Sequence, residues 1–177
     1  MAKNFLQGLI KKSVTFGTIL TCADATVQLI GRHKQNLKCE FNSKSLQRHG
    51  LVGSCIIGPL LYSYYFILDK QLPGASTRTV LVKLACDCVC LNVTYYCLFY
   101  YSLSFLEHKD HERAKDDTKN VLGKTCVIGA LYWVPLQFIN FKYLSPQSRV
   151  VFIAMATYIE MNGLCLMSQG GAGKNQE

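Results

Sequence analysis

The chain has 177 residues, 50% hydrophobic and only 17% charged, with a net charge of +8. Soluble domains carry ~25% charged residues. Here the apolar residues gather into long runs that leave too little polar chain to coat them, which excludes a water-soluble globular domain. The positive balance suits anionic lipid headgroups, anionic solutes or nucleic acid.

Mean hydropathy is only +0.15, because short, very polar loops offset the apolar runs. A helix rises about 1.5 Å per residue, so ~20 apolar residues cross a ~30 Å hydrocarbon core. The first run, Val14–Ile30, carries one acid, Asp24, and predicts a helix starting at Asn4 or Val14. Met1–Ala23 holds Lys3, Lys11 and Lys12 but no acid and no Arg. No cleavable secretory signal is visible there, and a retained internal signal is expected. The loop Gly31–Arg48 has five Lys or Arg and one Glu.

His49–Leu68 runs for 20 residues without Lys, Arg, Asp or Glu, predicting a second helix over 50–68. Pro73 and Gly74 mark the turn after it. Cys88–Leu106 is uncharged for 19 residues, giving a third helix over 80–106. The segment 107–124 carries five bases and five acids and reads as a loop. Thr125–Phe141, uncharged for 17 residues, gives a fourth helix over 121–141. A last apolar segment, Val150–Met167, is interrupted by Glu160, so four or five crossings both stand.

The fold class is therefore all-α, an integral membrane helical bundle with four or five transmembrane helices. Residues 1–168 form a single multispanning domain, and 169–177 read as a disordered tail. The runs are continuously apolar rather than alternating, which argues against a β-barrel. With five crossings one face carries 11 Lys and Arg and the other 8, too even a split to orient the chain.

Polar residues inside the runs are the candidate functional positions, because ionisable groups in hydrocarbon face the bundle or water. Asp24 and Gln28 share a helical face. Lys83 and Asp87 have the same spacing, so they form an interfacial ion pair, or Asp24, Gln28 and Asp87 line a polar interior. Trp133, Gln137, Asn140 and Phe141 fall on one stripe, and the two amides bond across helices or contact a passing solute. Gly50, Ser54 and Gly58 lie at spacing four and Pro59 follows. That pattern serves close helix packing or a kink that widens a solute path. The expected polar lining is thus Asp24, Gln28, Lys83, Asp87, Gln137 and Asn140.

There are nine Cys, most of them in or beside apolar runs, where they read as small buried hydrophobes rather than a disulfide scaffold. Cys88 points away from Cys86 and Cys90 on a helix, and His108 and His111 sit among charges of both signs, so no metal is expected at either place. No cofactor is expected. The chain contains no phosphate loop, dinucleotide glycine signature or nucleophile elbow, and an enzyme is not expected.

The order of motifs carries a resemblance over about Leu20–Leu166. It comprises Ala23-Asp24 with Gln28, Arg48, Gly53, Gly58-Pro59, Tyr65, Leu68-Asp69 and Pro73-Gly74. Lys83 with Asp87 follows, then Trp133, Gln137, Asn140-Phe141 and Arg149. The chain resembles the family that joins the Mpv-17 mitochondrial inner-membrane proteins to the 22-kilodalton peroxisomal membrane protein, nearest the mitochondrial branch. It is divergent: Pro135 and Pro146 each fall one place late, Cys88 replaces Gln, and Glu160 stands where a tryptophan is usual. The last motif reads Gly163-Leu164-Cys165.

The resemblance implies a structural role for Arg48, Gly53, Gly58, Pro59, Tyr65, Asp69, Trp133, Phe141 and Arg149. It also implies a multi-pass protein of the mitochondrial inner membrane, or alternatively of the peroxisomal membrane. The function it implies is formation or regulation of a small-solute pathway, linked to mitochondrial DNA maintenance. The alternative is a membrane scaffold for mitochondrial ribosome assembly, using the basic loop Gly31–Arg48. Partners implied are membrane lipids, small solutes and a second copy of the chain, with a mitochondrial ribosomal partner on the scaffold reading.

Overall fold

A computed structural model describes residues 2–34 and 41–172, with side chains over 4–32 and 41–162. Among the described residues all regular structure is helical, in five helices. They are α1 (Ala2–Lys34), α2 (Ser43–Gln71), α3 (Thr77–His108), α4 (His111–Tyr143) and α5 (Pro146–Ala172). The first four are long and apolar enough to cross a membrane, and the protein is a helical membrane bundle. α2 and α5 both pack on α1, and α3 packs on α4.

The helices outrun their apolar segments. The fourth starts at His111, ten residues before the expected Val121, so the charged segment read as a loop shrinks to Lys109 and Asp110. Asp110 Oδ1 accepts from the backbone N–H of Glu112 at 2.9 Å and of Arg113 at 3.3 Å, which caps the helix. Lys109 takes the left-handed conformation, φ 57°, that ends α3. Lys115 then pairs with Glu112 at 2.7 Å, one turn along. Loss of apolarity marks the membrane boundary, not the helix boundary. α2 likewise starts at Ser43 rather than Gly50, capped by Asn42, and Glu160 does not break α5. α5 continues to Ala172, so 169–172 of the expected tail are helical; residues 173–177 lie outside the described residues.

Two helices contain a widened, π-helical turn: Gly53–Ile57 in α2 and Asp87–Leu91 in α3. The first precedes Pro59, which has no N–H to give the preceding turn, and the Gly58 N–H reaches back five residues to Gly53 O. Pro135 sits inside α4 without ending it.

The small residues of α2 face α1. A Cβ on Gly53 would lie 2.8 Å from Gly17 Cα, and one on Gly58 would lie 2.6 Å from Ser13 Cα. Gly50 meets Thr21 in the same way. Lipid tails are as apolar as leucine, so helices hold together by close van der Waals approach, and these glycines allow it. Replacing Gly58 by Ala is expected to cost about 1–3 kcal/mol through overpacking against backbone. Gly123, which meets nothing within 4 Å, should accept Ala with a gain of up to ~1 kcal/mol. Reversible unfolding in mixed micelles measures both; equal effects at the two positions would disprove the packing argument.

Candidate functional site

Two polar groupings lie at opposite ends of the bundle. At the end where α1 meets α2, Gln28 Nε2 donates to Asp24 Oδ2 at 2.9 Å, and the Asn42 N–H donates to Gln28 Oε1 at 2.9 Å. His49 Nδ1 stands 3.6 Å from Asp24 Oδ2, and Arg48 pairs with Glu107 at 3.3 Å. Of the expected loop Gly31–Arg48, residues 31–34 belong to α1 and residues 43–48 to α2, and residues 35–40 lie outside the described residues.

At the other end Asp69 holds two cations. Lys83 Nζ donates to its Oδ1 at 2.7 Å, and Arg149 Nη1 donates to the same oxygen. Lys83 is 1% exposed and Arg149 3%. The Phe141 ring lies beside both, 5.8 Å from Lys83 Nζ and 5.3 Å from Arg149 Cζ, within cation–π range. This corrects the expected Lys83–Asp87 ion pair. Spacing of four puts the two on one face, but Lys83 extends to the helix end, where Asp69 of α2 arrives.

Asp87 is bound elsewhere. Its Oδ2 accepts from the Tyr65 hydroxyl at 3.2 Å and from Gln137 Nε2 at 2.5 Å, and Asn140 Nδ2 donates to Gln137 Oε1 at 2.7 Å. Asp87, Gln137 and Asn140 are all buried. Oδ1 of Asp87 and the Tyr64 hydroxyl each lack a hydrogen-bond partner among the described residues. The single polar lining expected from the sequence is therefore split. Asp24 and Gln28 lie at one end, Lys83 joins the ion cluster at the other, and Asp87, Gln137 and Asn140 form a separate buried network. Antiparallel connection decides this, since residue 24 is late in its helix and residue 87 early in its own.

Beside Asp87 lies a cavity of about 50 Å³, walled by residues of α2, α3, α4 and α5. Its lining is mainly apolar, with Asp87, Asn92 and Gln137 as polar members and Tyr65, Tyr95 and Trp133 as rings. Trp133 Nε1 donates to the Tyr96 hydroxyl, which donates to Glu160 Oε1, both at 3.1 Å. Tyr96 was invisible to sequence reading. Glu160 gave a signal, an acid in an apolar segment, that was read only as an interruption.

The described cysteines are exposed or half-buried, not buried as expected. On membrane helices such positions face lipid, which accepts a small apolar side chain as readily as a core does. Among the described residues, no three His, Cys, Asp or Glu side chains gather as metal ligands.

A helical bundle with four membrane-length helices and a small, partly open, polar-edged cavity defines a multi-pass membrane protein. A profile of the Mpv17 / PMP22 family matches residues 104–159. PXMP2/4 family protein 4 of Dictyostelium discoideum is 30% identical over 142 residues, 80% of this chain and 76% of that protein. Peroxisomal membrane protein 2 of Bos taurus is 24% identical over 83% of this chain and 76% of its own length. Mitochondrial inner membrane protein Mpv17 of Xenopus laevis is 23% identical over 82% and 81%. No solved structure matches. The chain belongs to the Mpv17/PMP22 family.

Removing the shared carboxylate should leave two buried cations uncompensated. Asp69→Asn is expected to cost about 3–5 kcal/mol, the scale for breaking a buried ion pair from one side. Asp24→Asn, whose neighbours are Gln28 and the His49 ring rather than two buried cations, should cost less. Unfolding in mixed micelles compares the two, and a larger loss for Asp24→Asn would refute the ranking.

Proposed function

We propose that the chain forms or regulates a pathway for small solutes across the mitochondrial inner membrane, acting as a non-enzyme in support of mitochondrial homeostasis, including upkeep of mitochondrial DNA. The observation that carries this is the buried network of Asp87, Tyr65, Gln137 and Asn140 at the edge of the cavity. In a membrane interior such groups are costly. A network set beside free space, rather than packed against apolar side chains, supports the passage of polar solutes. Lipids and a second copy of the chain are the partners this reading takes.

The mitochondrial placement is supported by the Xenopus relative's name and by motif likeness. The bovine relative's name supports a second placement, the peroxisomal membrane. A tagged full chain, with organelle co-localisation and protease protection of its loops, tests placement and topology together; a tag confined to peroxisomes would move the pathway there.

Asp87→Asn keeps the shape of the side chain and removes its charge. In planar bilayers containing the purified chain and potassium chloride, we expect conductance to change at least about twofold, with helix content unchanged. Two unit charges 4 Å apart interact by ~4 kcal/mol at an effective dielectric of 20, enough to alter the passage of any ion. Identical conductance would remove Asp87 from the pathway.

A further inference from the structure

We propose that the end of the bundle around Asp69 is a docking surface for the phosphate headgroups of anionic phospholipids. This surface lies apart from the cavity and stands whether or not a solute crosses the bundle.

The net positive charge is gathered unevenly. Residues 2–12 run beside the last turns of α2, with the Phe5 ring 4.8 Å from that of Phe66. Together with residues 69–83 and 142–149 they hold eight Lys or Arg and a single acid, Asp69. Residues 24–34, 41–49 and 107–124, toward the other end, hold nine Lys or Arg and six acids. There Arg48 pairs with Glu107, Lys115 with Glu112 and Lys119 with Asp116. At the Asp69 end the one acid is taken by Lys83 and Arg149. Lys70, Arg78 and Lys142 make no ion pair among the described residues.

Their placement sets the depth. Lys70 is in the last turn of α2, Arg78 in the first turn of α3 and Lys142 in the last turn of α4. All three stand where an apolar run gives way to polar chain. Tyr143, next to Lys142, is 72% exposed, and tyrosine favours the level of lipid headgroups. α3 and α5 both begin at this end, and helix N-termini add to the positive field.

The donors suit phosphate. Lys70 and Arg78 are exposed, and a guanidinium fork binds phosphate oxygens in pairs. Lys142 Nζ donates to Ala75 O at 3.1 Å and Thr77 Oγ1 at 3.3 Å, which leaves one N–H of its three. A free anion needs donors that converge on it. These cations stand on three separate helix ends, and a leaflet offers phosphates side by side to match them.

The full chain is reconstituted in phosphatidylcholine vesicles with a trace of phosphatidylglycerol or phosphatidylcholine, spin-labelled on the acyl chain. The motionally restricted fraction at the protein gives the preference between the two lipids. We expect phosphatidylglycerol to be favoured about twofold or more at low salt. The preference should shrink in sodium chloride at about 1 M, where the Debye length is ~3 Å. In Lys70→Gln/Arg78→Gln/Lys142→Gln it should fall toward parity with helix content retained. Lys70→Gln/Arg78→Gln, which leaves the Lys142 contacts in place, should lose part of it. Lys115→Gln/Lys119→Gln should lose far less, since those ammoniums are already paired. No preference in the unaltered chain, a preference indifferent to salt, or equal losses from the two double variants overturns the surface. Loss of the preference in inorganic phosphate, at an ionic strength where chloride preserves it, would assign these cations to a free anion and overturn it too.

Discussion

Asp69 receives Lys83 from α3 and Arg149 from α5 on one carboxylate oxygen, at the end of α2, while Phe141 of α4 lies beside both cations. Four helices thus meet around one acid. In lipid this matters more than it would in water, because no solvent stands by to take over a broken charge contact. Lys142 closes the same end from α4, donating to Ala75 O at 3.1 Å. The position of Asp87 follows from this clamp: Lys83, one turn earlier on α3, is held at the end of the bundle, which leaves Asp87 to face inward to Tyr65 and Gln137.

The other half of the bundle is held by different physics. α1 meets α2 through Gly17, Gly53 and Gly58, where backbones approach so closely that an added methyl has nowhere to go. Such contacts are non-directional and short-ranged. The ion clamp is directional and costly to break. Together they leave the cavity wall to α2, α3, α4 and α5, with α1 outside it. The widened turns at Gly53–Ile57 and Asp87–Leu91 lie where these two modes of packing meet polar or proline-bearing sequence, as such bulges often do at functional places.

Helix number and class were legible in the sequence because membrane-length apolar runs admit few structures. Helix ends were not. Asp110 and Asn42 begin helices in charged sequence, and caps act on backbone groups that hydropathy does not see. Of the site, the polar residues were legible one by one, since an acid or amide in an apolar run stands out. Their grouping was not: Asp24 and Asp87 look alike in sequence yet lie in separate networks, and Lys83 ignores the acid four residues away.

Amino-acid order alone places this protein in lipid, makes it helical, and marks which polar side chains have to be satisfied inside it. These are properties of single segments, set by transfer free energy and helical period. Which partner each polar group takes was settled by the packing of the helices. It set Asp69 rather than Asp87 against Lys83, tied Glu160 to Trp133 through Tyr96, and joined Asp87 to Tyr65 and Gln137. Partner choice depends on how antiparallel helices are staggered and how closely they pack, and neither distance is written in any one stretch of the chain.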